Sequence, residues 1–81
     1  MDQQAKVREI EERARRAYSS VRAVCRRANV TPSTFARWKR TDGNPEPTSM
    51  TLSTLQRIER ALCEIEAEAR NARRDGKAVA A

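Results

Sequence analysis

The sequence predicts an all-α fold: a compact bundle of four or five helices, with two short helices joined by a tight turn and a long helix at the C-terminal end. Three observations predict it. Apolar residues recur every three or four positions in the first and last thirds of the chain, the period of a helix with one buried stripe. Helix formers dominate, and the only glycines are Gly43 and Gly76. Capping and turn residues sit between the periodic segments, at Ser19-Ser20, Asn29 to Pro32 and TDGNPEPTSM. A chain of 81 residues suffices for one small domain. Residues 1–74 are expected to form it, with 75–81 as a flexible tail.

Each element follows in order. In AKVREIEERARRAY the residues Val7, Ile10, Ala14 and Ala17 make one apolar stripe, and the other face is densely charged. Ser20 is placed to cap a short helix, VRAVCRRA, whose Val21, Val24, Cys25 and Ala28 face inward. Asn29 tolerates the left-handed conformation that ends a helix in a tight turn. Thr31 then caps a helix that opens on Pro32, where a missing N–H does no harm, and carries Phe35 and Trp38 on its inner side. A loop rich in turn formers leads to Thr51, the cap of a last helix from Leu52 to Arg74, roughly 35 Å long at 1.5 Å per residue. Asp75-Gly76 is read as its stop.

Composition narrows the function. There are 17 basic against 11 acidic side chains, a formal charge of +6, and a small basic surface attracts a polyanion. No apolar run approaches the ~20 residues of a membrane span, and the N-terminus lacks a signal pattern, so a cytoplasmic protein without membrane contact is expected. Histidine is absent, and Cys25 and Cys63 stand far apart, so neither a metal site nor a cofactor is implied and an enzyme is not expected. Tyr18, Phe35 and Trp38 are too few for a base-stacking platform, which favours duplex DNA over single strands or RNA loops.

Val21 to Arg40 has the pattern of a helix-turn-helix. Val24, Ala28, Val30, Phe35 and Trp38 hold two short helices at a steep angle, Cys25 is small where they touch, and Asn29 turns the chain. The stretch from about Ser20 to Leu62 resembles the lambda-repressor-like (Cro/C1, XRE) family. VTPSTFARWKR is similar to that family's recognition helix and MTLSTLQRIERAL to the helix that follows it. The chain departs from the family pattern at Asn29, where Gly is usual, at Thr41-Asp42 ahead of Gly43, and after Ala61-Leu62, where no Gly interrupts the helix.

The resemblance implies operator DNA as the partner, bound as a homodimer. It implies that Pro32, Ser33 and Arg37 face the major groove with Thr34 alongside, and that Arg37 reads a base through its guanidinium fork. Ser20, Arg22, Thr31, Lys39, Arg40, Thr48 and Ser49 are the corresponding phosphate contacts. In the last helix Leu55, Ile58, Leu62, Ile65, Ala69 and Ala72 are spaced as a heptad seam. The first three pack on the helix-turn-helix. Ile65, Ala69 and Ala72 either meet a second copy, the arrangement favoured for two linked half-sites, or pack on the first helix of their own chain. The expected function is a sequence-specific transcriptional regulator, most simply a repressor. The rivals are an antitoxin with a toxin partner and a DNA-bending accessory factor of recombination or excision.

Overall fold

The computed structural model describes the backbone of residues 2–80 and the side chains of residues 2–72. The described residues form four helices: α1 (Gln3–Arg16), α2 (Val21–Arg27), α3 (Pro32–Trp38) and α4 (Leu52–Ala80). Among the described residues there is no strand, only an isolated bridge between Thr41 and Asn44 in the α3–α4 loop. No helix there is long and apolar enough to cross a membrane. The all-α bundle expected from the periodicity is the fold observed, with four helices.

The helix ends explain the chain's path. α1 starts earlier than its apolar stripe suggested, because the Asp2 carboxylate accepts the Gln4 N–H at 3.0 Å and caps it. Ser20 caps α2 as expected, its hydroxyl accepting the Ala23 N–H at 3.1 Å. α1 and α2 terminate by the same device. Tyr18 and Asn29 adopt φ of 56° and 59°. Ser19 N–H then reaches back to the Ala14 carbonyl (2.9 Å) and Val30 N–H to the Cys25 carbonyl (2.8 Å), closing two Schellman motifs. Asn29 bears this conformation at little cost. An aromatic residue does not, and nothing in the periodicity marks Tyr18 for it.

Pro32 opens α3, as its position in the sequence implied. Thr31 occupies the capping position, but its hydroxyl meets the Thr34 hydroxyl at 2.9 Å instead of a backbone N–H. The helix stop read at Asp75-Gly76 is not where α4 ends: the backbone stays helical to Ala80. One glycine in a helix interior costs only about 1 kcal/mol, and the neighbouring Arg, Lys and Ala residues favour continuation. The side chains of the expected tail lie outside the described residues.

The core joins the inner faces of all four helices. Ile10, Val24, Cys25, Ile58 and Leu62 are fully buried, and Phe35 and Trp38 seat α3 with their rings 5.8 Å apart and tilted by 57°. α4 lies against α1 and α2, whereas the α3 backbone is held by α1 and α2. Ile65, one option for a dimer face, belongs to this core at 9% exposure. Of the seam past Leu62, Ile65 thus packs within its own chain, the second of the two arrangements expected for it. Ion pairs hold the same stretch in place: Arg13 bridges Glu66 at 2.7 Å, and Arg27 engages Glu68 and, at 3.8 Å, Glu64. Ala69 is half-buried and Ala72 exposed, so no large apolar side chain accompanies them outward among the described residues of this stretch.

Candidate nucleic-acid interface

α3 has seven residues, and burying Phe35 and Trp38 decides which of the others face out. Pro32, Ser33, Ala36 and Arg37 are exposed, and Thr34 is half-buried. Ser33 and Arg37 stand four residues apart, hence on one helical face. The first turn is stiffened by its hydroxyls. Thr31 Oγ1 lies 2.9 Å from Thr34 Oγ1 and accepts a longer bond, 3.4 Å, from the Ser33 hydroxyl. The groove-facing set expected from the sequence is thus brought together on one exposed surface, with Thr34 turned partly inward.

The C-terminal end of α3 leaves carbonyls without helical partners, and side chains from outside the helix satisfy them. Gln3 donates to the Trp38 carbonyl (3.0 Å) and the Thr48 carbonyl (2.8 Å), while its own carbonyl oxygen accepts the Met50 N–H (2.9 Å). Gln4 donates to the same Trp38 carbonyl (2.8 Å) and accepts the Arg40 N–H (3.0 Å). Asn44 donates to the carbonyls of Arg37 (3.0 Å) and Lys39 (2.9 Å), and the Thr48 N–H closes on Arg37 (2.9 Å). The first turn of α1 thereby buckles the end of α3 to the loop that presents Arg40, Thr48 and Ser49. The sequence reading missed Gln3, Gln4 and Asn44.

The charges sort themselves unevenly. Lys6 pairs with Glu9 and Glu59, Arg13 with Glu66, Arg15 and Arg16 with Glu12, and Arg27 with Glu64 and Glu68. These contacts lower the carboxyl pKa values of Glu9, Glu12, Glu66 and Glu68, chiefly through the hydrogen bonds from their basic partners. Other cations of the described residues stay unpaired, Arg8 of α1 among them. Among the described residues Arg22, Arg37 and Arg40 are exposed and have no carboxylate within ion-pair distance. Lys39, expected to act with Arg40, is instead engaged by Glu11 at 2.7 Å because α1 runs beside the end of α3. Ser20 is exposed, and its hydroxyl caps α2.

Cys25 is buried, and burial pushes its thiol pKa up, away from the reactive thiolate. Cys63 is exposed on α4 beside Arg13. No group of His, Cys, Asp and Glu among the described residues could hold a metal ion. A widely open hollow of about 570 Å³ lies between the end of α1 and α4 and is lined by no residue of α2 or α3. No protein-family model, curated protein or solved structure matches the chain.

Proposed function

We propose that this protein is a sequence-specific duplex-DNA-binding regulator of the lambda-repressor-like kind, most simply a repressor, working in the cytoplasm as a binding protein and not as an enzyme. One observation carries the reading. The exposed polar face of α3, with Ser33 and Arg37 in line, is held at both ends, by the Asn29 turn and by the Gln3–Gln4 buckle, and is flanked by the uncompensated charges of Arg22 and Arg40. A rigid helix with a guanidinium fork on its outer face suits the major groove, where Arg bonds guanine bidentately. Arg22 and Arg40 suit the phosphates on either side, together with the hydroxyls of Ser20, Thr31, Thr48 and Ser49. Lys39 joins them only by leaving Glu11. A single recognition helix reads few base pairs, which favours two copies on a palindromic operator. Ile65, buried within its own chain, is not proposed as the surface that joins them.

Selection of bound sites from a random duplex library, with the complex sized, tests this reading. The expected outcome is an enriched site with two-fold symmetry and two protomers bound. Arg37→Ala should cost about 1–3 kcal/mol on that site and relax preference at one base pair per half-site. Arg40→Ala should weaken all sequences alike and flatten the salt dependence by about one phosphate contact. No enrichment, or sequence preference untouched by Arg37→Ala, would overturn the proposal.

A further inference from the structure

We infer that Arg26, Arg57 and Arg60, set around the turn between α2 and α3, form a second seat for the phosphodiester backbone of DNA. The inference rests on the DNA-binding reading above and concerns residues outside the α3 face. Arg57 and Arg60 are three apart on α4 and so project side by side. With Asn29 they line a hollow of about 260 Å³ behind the turn. Arg26, from the last turn of α2, lines an adjoining hollow of about 280 Å³ with Asn29, Thr31 and Pro32. Asn29 lines both, so the two hollows meet at the turn, with Arg26 on one side and Arg57 and Arg60 of the N-terminal third of α4 on the other.

Charge and lining identify the occupant. All three arginines are exposed, and none has an ion-pair partner among the described residues. The one carboxylate at the hollow among those residues, Glu64, faces Arg27. Like charges gathered at one place repel unless an anion joins them, and folding here leaves these three unpaired while pairing Lys6, Arg13, Arg15 and Arg16 of α1. The apolar lining is Ala28 and Ala61 in one hollow and half-buried Val30 with Pro32 in the other, with no aromatic ring to anchor a protein partner. A sugar–phosphate backbone needs no such ring. It needs spaced guanidinium groups and an amide, and these are present. The backbone comes either from the flank of the duplex already held by α3, drawn round the turn, or from a second duplex.

The test uses the full chain with Arg57→Gln/Arg60→Gln, and separately Arg26→Gln on a different helix. These side chains are exposed and unpaired, so both variants should melt as the wild type does. Binding is followed by fluorescence anisotropy across salt concentrations, on a duplex that just covers the selected site and on one extended by about one helical turn at each end. A bridging assay runs alongside, in which an immobilised duplex captures a labelled second one through the protein. The double variant should lose roughly two phosphates' worth of salt dependence, a slope change of about 1.8, with sequence preference intact. Loss confined to the extended duplex identifies the flank as the source. Bridging by the wild type that the variants abolish identifies a second duplex. Wild type that binds its site, with slopes and bridging indifferent to all three arginines, overturns the inference. Wild type that binds no duplex overturns the DNA-binding reading first, and this inference with it.

Discussion

Gln3→Glu isolates the buckle between α1 and the end of α3 with almost no change of shape. The glutamate keeps an oxygen for the Met50 N–H but loses both donated bonds, to the Trp38 carbonyl at 3.0 Å and the Thr48 carbonyl at 2.8 Å. A net contribution of about 0.5–1.5 kcal/mol per bond sets the loss at about 1–3 kcal/mol. Two features pull it to the lower half of that range: the Trp38 carbonyl keeps its bond from Gln4, and exposed Thr48 regains water. At about 4–8 °C per kcal/mol for a domain of this size, about 1–2 kcal/mol lowers Tm by about 4–16 °C. The new carboxylate also faces two carbonyl oxygens, which favours its protonated form and raises its folded-state pKa above the unfolded one. Its deficit is therefore present at neutral pH and shrinks as pH falls through that raised value, because the acid form donates again. Thermal melts of variant and wild type, compared at about pH 7 and again at about pH 4, provide the measurement. Equal melting points at neutral pH, or a gap that does not narrow on acidification, would refute the reasoning.

Ile65→Glu should lower the melting point sharply, since it places a charge in the monomer's core, while sedimentation of the folded variant matches the wild type; an unchanged melt with a changed mass would put Ile65 between copies. Wild-type stability should be fully present above the ordinary glutamate pKa and fall as pH drops through the lowered folded-state values of Glu9, Glu12, Glu66 and Glu68. Glu66→Gln, which removes the partner of Arg13, should flatten that acid limb, as melts over a pH series would show.

Much of the helix-turn-helix was legible because its signals are local. Ser20, Asn29 and Pro32 each act within a few residues of themselves, and Phe35 and Trp38 repeat at a helical interval. The roles of Gln3, Gln4 and Asn44 were not legible. A glutamine's amide bonds whatever carbonyl folding brings near, and Gln3 reaches across 45 positions to Thr48 with no periodicity to announce it. Ile65 shows a different limit. A heptad seam specifies an apolar partner helix but not whose helix it is, and here α1 and α2 of the same chain lie within reach, fastened by Arg13–Glu66 and Arg27–Glu68. Lys39 and Arg40 read alike in sequence and differ in the fold only because Glu11 lies beside one of them.

The seating of α3 on α1 and α2, with its backbone clear of α4, has a consequence for how the molecule opens. A seven-residue helix cannot persist alone in water, so α3 exists only while Phe35, Trp38 and the glutamine buckle hold it. Breaking those attachments, together with the Lys39–Glu11 pair, should release α3 and its loop while α1, α2 and α4 keep the contacts they make with one another. Amide hydrogens of α3 should therefore exchange through this partial opening, well before those at the middle of α4, which wait for the whole domain to unfold. A ligand gripping α3 must suppress the opening, and the slowing of exchange there would register binding with no change in average structure.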